Sequence, residues 1–225
     1  MYHLYHTEGF VLRGSEKGEA NKSFLLLTRE LGLISATAQS VREERSKLRY
    51  GLSDFSLAEL SLVRGKDSWR ITGATLVEDV YGALRASPHA AALFARIFRL
   101  LRRLVAGEEK NEQLFCAVKE AFLFLHSSSV PPFLKEVPVR AEDLKIPRLA
   151  DEPLPLGKGE LRSAEVEVVL VLRILYLLGY LAPRGEFQAV LSDVFHWSDA
   201  LLSEAKHFRT LALQDINHSL RESQL

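Results

Sequence analysis

Cysteine is nearly missing from this sequence: Cys116 is the single one in 225 residues. Neither a disulfide framework nor a cysteine-built zinc site can therefore be assembled within the chain, and a reducing compartment is the natural expectation. Long hydrophobic runs are missing too. The most apolar stretch, Val166 to Leu181, is interrupted by Arg173 and falls short of the roughly 18 apolar residues of a spanning helix. It reads as a buried helix, and no membrane partner is expected. The opening residues MYHLYHTEGF lack a basic stretch followed by an apolar one, so no secretory signal is expected and the predicted localisation is cytoplasmic.

Catalytic motifs are equally scarce. The sequence holds no Walker-type glycine-rich loop, no HExxH and no GxSxG, which removes the usual signs of a nucleotide hydrolase, a zinc peptidase or a serine hydrolase. His3 and His6 lack an acidic or cysteine partner at ligand spacing, so no metal is expected there. Cys116 lies between Phe115 and Val118 on a predicted helix, as a structural thiol does. His196, His207 and His218 are scattered along the last helical stretch and its approach. The expectation is a binding protein without cofactor, not an enzyme.

Charge of one sign is also lacking overall. The formal net charge is zero, with 29 basic and 29 acidic side chains, which argues against a generic polycation coating nucleic acid. The distribution is uneven, however. Residues 1–80 balance at 11 of each sign, residues 81–107 carry five arginines and no acid, and residues 108–225 carry 13 basic against 18 acidic residues. An anionic partner would accordingly be met on a patch.

What is present is the composition of a globular protein, 47% hydrophobic and 26% charged. The first 80 residues read as short strands: Thr7 to Arg13, Ser23 to Thr28, Leu33 to Gln39, Phe55 to Val63 and Ser68 to Val77, separated by turn-like segments. Five short strands with a longer connection near Val41 to Ser53 predict a small closed barrel over residues 1–80. From Ser87 the period changes. Ser87 is a good N-cap with Pro88 at the first helical position, and helices are predicted to about Ala106, from about Glu109 to His126, from Ser163 to Leu181, and from Ser198 to about Glu222. Residues 133–162, rich in proline and glycine, predict a long irregular connection. The fold class is thus α+β, a barrel followed by an all-α region over residues 81–225.

Two basic clusters are the candidate sites. The segment Val41 to Arg49 places Arg42, Arg45, Lys47 and Arg49 beside only two acids in the longest barrel connection. In small barrels, basic loop residues follow phosphates while aromatic residues stack on bases. Arg13, Lys22, Arg29, Lys66 and Arg70 extend such a surface, with Trp69 and Tyr50 as stacking platforms. The alternative is a solvated loop with Trp69 inside the barrel. In the first long helix Arg96, Arg99, Arg102 and Arg103 fall within roughly a third of the circumference. That stripe suits phosphates or an acidic peptide; plain surface is the alternative.

The order of features resembles the bacterial recombination mediator family RecO. The likeness is carried by Glu8-Gly-Phe-Val-Leu-Arg13, Gly18-Glu-Ala-Asn-Lys22, Phe24-Leu-Leu-Leu-Thr-Arg-Glu-Leu-Gly32 with Ile34, Ala38 to Arg49, Phe55-Ser-Leu-Ala-Glu-Leu60 and Trp69-Arg-Ile-Thr72. Leu172 to Ala182, with its Leu-Leu-Gly-Tyr, and Ile216 to Ser223 follow in order. The resemblance implies an N-terminal OB-fold, a helical C-terminal domain, binding to single- and double-stranded DNA, strand annealing, and recombinase loading in DNA repair. Its implied partners are RecR and the acidic C-terminal tail of single-strand-binding protein. Many members carry a four-cysteine zinc module after the Leu-Gly-Tyr helix. Here Pro183 to Trp197 stand in that place without a cysteine, so no zinc is expected. The competing expectations are an interaction adaptor that kept the barrel but lost DNA binding, and an OB-fold RNA binder.

Overall fold

The structure is a computed structural model, and it describes residues 3–66, 68–84, 87–129, 158–182 and 184–222. Five strands come first: β1 (Leu4–Lys17), β2 (Asn21–Thr28), β3 (Gly32–Ala38), β4 (Ser56–Arg64) and β5 (Trp69–Asp79). A short helix, α1 (Leu48–Gly51), lies between β3 and β4. The strands close into a barrel in the order β1-β2-β3-β5-β4, and β3 and β5 are the parallel pair. This is the OB-fold, a five-stranded Greek-key barrel.

Closure depends on the length of β1. Leu4 to Phe10 pair with β4, while Gly9 to Lys17 pair with β2. A bulge between Val11 and Arg13 turns the strand from one partner to the other. The same region explains why Phe10-Val11-Leu12 does not alternate with polar residues. Val11 enters the barrel core with Phe24, Leu26, Ile34 and Ile71. Phe10 and Leu12 face outward into a second core shared with the helices. A strand apolar on both faces is a strand covered on both faces.

The helical part follows as α2 (Val80–Leu84), α3 (Pro88–Leu104), α4 (Glu112–Ser129), α5 (Lys158–Leu177), α6 (Gln188–Leu191) preceded by a 3-10 turn at Gly185–Phe187, and α7 (Asp199–Glu222). Ser87 caps α3 as expected, its hydroxyl accepting from the Ala90 N–H, and Ser198 does the same for Leu201 at the start of α7. Of the expected irregular connection 133–162, residues 133–157 lie outside the described residues. Residues 158–162 belong to α5 rather than to a loop, a correction to the expected helix start at Ser163. The glycine at 159 did not stop the helix, since one glycine costs only about 1 kcal/mol in a helix interior. The short helices α1, α2 and α6 carry too few residues to show a period.

The second core is continuous across residue 80. Phe10 packs against Phe98 of α3 and Phe115 of α4, with ring centroids 5.6 and 5.4 Å apart, and Phe55 stacks on Phe98 at 5.5 Å. Two ion pairs join the same layers, Lys119 to Glu8 at 2.6 Å and Arg29 to Glu112 at 2.8 Å. No helix among the described residues is long and apolar enough to cross a membrane.

Candidate nucleic-acid interface

The basic connection between β3 and β4 is strapped to the β1–β2 turn. The Asn21 side chain accepts from the Ser40 N–H at 2.9 Å, and the Arg42 N–H donates to the Ala20 carbonyl at 3.1 Å. The Arg42 guanidinium reaches the Gly18 carbonyl and the Glu16 carboxylate, each at 3.3 Å. The segment Gly18 to Lys22 is thus the clasp that fixes the start of the connection at Ser40 and Arg42. Arg42, Arg49 and Lys22 line one pocket of about 240 Å3, together with Glu16, Phe24, Val41 and Leu52. Arg45 and Lys47 stand exposed on the same connection. Tyr50 is 68% exposed beside them, with the Arg49 guanidinium carbon 5.7 Å from its ring centroid.

The other expected residues are placed differently. Trp69 is 5% exposed. Its ring meets Tyr5 edge-on at 5.1 Å and carries the Arg64 guanidinium at 4.9 Å. It fills the barrel instead of offering a platform, because its neighbour Arg70 takes the outward-facing position on β5. Arg29 is engaged by Glu112, whose hydrogen bond raises the arginine and holds the Glu112 carboxyl below the usual range. It therefore lies at the seam with α4, away from Arg42. Lys66 and Arg70 are exposed. Arg13 is exposed on β1 past the bulge.

The arginine stripe of α3 divides. Arg96 is clamped by Glu167 of α5 through two hydrogen bonds, one of them 2.6 Å from Nε. Arg96, Arg99 and Arg103 line a groove of about 500 Å3 between α3, α5 and α7, floored by Leu100, Val168, Val171 and Leu213. Arg209 of α7 joins them across the groove. It was not among the expected residues, because only the packing of α7 against α5 brings it near. Arg102 does not line this groove and feels the charge of Arg13.

One arginine was missed as a site altogether. Arg173 of α5 is fully buried. Its Nε donates to the Val190 carbonyl at 2.8 Å, and its Nη2 to the Asp193 and His196 carbonyls at 2.9 and 2.8 Å. The guanidinium carbon lies 4.4 Å from the Trp197 ring centroid. Burial lowers Arg173 to about 10, which still leaves a cation at neutral pH. A break in an apolar run was the signal available in the sequence. This cation gathers the segment 184–197, where the resemblance implied a zinc module. That segment offers no thiolate. No cluster of three or more histidine, cysteine or carboxylate side chains able to hold a metal occurs among the described residues, so the residues present do not fit a four-cysteine zinc site. Burial also pushes the Cys116 thiol up, away from the reactive thiolate.

Comparison with known proteins agrees with the barrel fold. Residues 1–80 match the model of the recombination protein O N-terminal domain. The chain is 33% identical over 113 residues to a DNA repair protein RecO of Dehalococcoides mccartyi, covering 50% of this chain and 44% of that protein. It is 36% identical over 100 residues to that of Heliobacterium modesticaldum, covering 43% and 37% respectively. It is 27% identical over 143 residues to that of Alkaliphilus metalliredigens, covering 64% and 56%. The matches span about half the length of these curated relatives or less.

Proposed function

We propose, from the match of its N-terminal barrel to the RecO family of DNA repair proteins, that the chain is a DNA-binding recombination mediator. It binds single- and double-stranded DNA, anneals complementary strands and helps load recombinase onto DNA coated by single-strand-binding protein. The observation that carries this reading is the pocket formed by Lys22, Arg42 and Arg49, with Arg45 and Lys47 exposed beside it. Guanidinium and ammonium groups there neutralise phosphates and release counterions, which gives affinity without sequence preference. Tyr50 supplies an exposed ring on which a base stacks. Annealing needs no covalent chemistry: two strands held on one molecule meet at a raised local concentration.

The groove between α3, α5 and α7 suits the acidic tail of single-strand-binding protein. Its apolar floor accepts a hydrophobic side chain, and Arg96, Arg99, Arg103 and Arg209 meet carboxylates at the rim. RecR is the further partner this reading includes. The test is fluorescence anisotropy of a labelled single-stranded DNA at several salt concentrations. Affinity should fall log-linearly with salt, and replacing Arg42, Arg45 and Lys47 together by alanine should reduce the slope by about 2, at about 0.7 per lost phosphate contact on single strands. Unchanged slope would remove the loop from the DNA site. No binding at low salt would leave the adaptor reading, and preference for RNA of equal length the RNA-binding one.

A further inference from the structure

The seam between the barrel and α3 holds three arginines with one carboxylate among them. Phe55 ties the loop before β4 to both sides of this seam. Its N–H donates to the Val11 carbonyl at 2.8 Å while its ring stacks on Phe98 of α3. Asp54, one residue earlier, accepts from the Gly14 N–H at 2.8 Å. Arg13 precedes Gly14, and Arg99 and Arg102 follow Phe98 on α3. The Arg102 guanidinium accordingly sits in the field of Arg13, Arg99 and Asp54. Its own partial burial comes first, and then these two like charges, in holding it below the usual arginine range. Among the described residues none of the three arginines makes an ion pair, whereas Arg96 one turn earlier is bound by Glu167.

The seam also abuts the barrel pocket. A Cβ on Gly14 would stand 3.0 Å from the Phe24 ring, which lines that pocket, and 3.1 Å from the Asp54 carboxylate. Gly14 is thus a narrow floor between two basic sites. On the far side Arg99 lines the groove between α3, α5 and α7.

We propose that Arg13, Arg99 and Arg102 form a second phosphate-binding site, which continues the path of a nucleic-acid strand from the barrel pocket over Gly14 and onto α3. Resting on the DNA-binding reading above, it assigns Asp54 as the intramolecular counter-charge that a phosphate must outcompete. Like charges gathered around one carboxylate repel, and a phosphodiester relieves that repulsion more fully than Asp54 alone. The partner is the phosphate backbone of a strand longer than the barrel itself accommodates.

The experiment compares oligothymidylates of about six and about twenty nucleotides, within and beyond the reach of one OB barrel. In the double variant Arg13→Ala, Arg102→Ala, the salt slope for the long oligomer should fall by about 1.4, at about 0.7 per phosphate contact. Binding of the short oligomer should not change. Asp54→Asn keeps the acceptor for Gly14 but removes the charge, and should tighten binding of the long oligomer several-fold at low salt. An unchanged slope in a folded double variant overturns the proposal, as does an equal loss for both lengths. If the double variant fails to fold, Asp54→Asn decides alone: no gain for the long oligomer overturns it. Failure of the unaltered protein to bind either oligomer would overturn the DNA-binding reading first, and this one with it.

Discussion

At the residue scale, Arg173 shows what a buried cation does when it has partners. An isolated charge in an apolar interior is strongly disfavoured, and the group escapes by neutralising or by collecting hydrogen bonds. Arg173 collects three carbonyls from one segment, at 2.8 to 2.9 Å. Those carbonyls belong to Val190, Asp193 and His196, in a stretch with only a 3-10 turn and one short helix of its own. The guanidinium is therefore the fastener of that stretch. Replacing Arg173 by methionine keeps the volume but leaves acceptors unpaired, each costing about 1–3 kcal/mol. A loss of about 3 kcal/mol or more is expected in urea unfolding, with faster hydrogen exchange at amides between 185 and 197. Wild-type stability in that variant would show that the carbonyls find other donors. Arg173→Lys should fall between the two, since an ammonium cannot reproduce the planar fork.

At the scale of elements, α5 ends at Leu177, within the Leu-Leu-Gly-Tyr signature and short of the expected Leu181. Gly179 has φ of +76°, its N–H donates to the Tyr176 carbonyl at 3.0 Å, and the Tyr180 N–H reaches back to Leu175 at 2.8 Å. This pair of bonds is a Schellman termination, which requires the left-handed conformation at glycine. Gly179→Ala should destabilise the protein by about 1 kcal/mol, read as a lowered midpoint of thermal unfolding; an unchanged midpoint would mean the turn relaxes. Other element signals were legible because they are local: Ser87 with Pro88, Ser198, and the alternation of β3. The clasp around Asn21 was legible only as a motif, without its reason. Trp69 was not assignable, since both faces of β5 alternate acceptably and only barrel closure settles which one is inside. Arg209 and Asp54 were not legible at all, because each acquires its role from an element distant in sequence.

At the scale of the molecule, one of the two cores crosses the change from strands to helices near residue 80. Phe10 is buried between the barrel and α3 and α4, and the ion pairs of Glu8 with Lys119 and of Arg29 with Glu112 span the same layer. A strand path from the barrel to α3 also needs the two parts held at a fixed angle. Coupled unfolding follows from this packing, and the chain carries its own reporters. Trp69 lies in the barrel wall, and Trp197→Phe removes the other tryptophan, while helical circular dichroism reports mainly α3 to α7. Fluorescence and circular dichroism should give one coincident urea transition. Phe10→Ala removes a fully buried ring, a change that costs about 3–5 kcal/mol in well-packed cores. Both signals should shift together by that amount. A variant whose fluorescence transition moves while the helical signal stays in place would show instead that the barrel unfolds on its own. The rings around Phe98 would then be a contact surface and not a shared core.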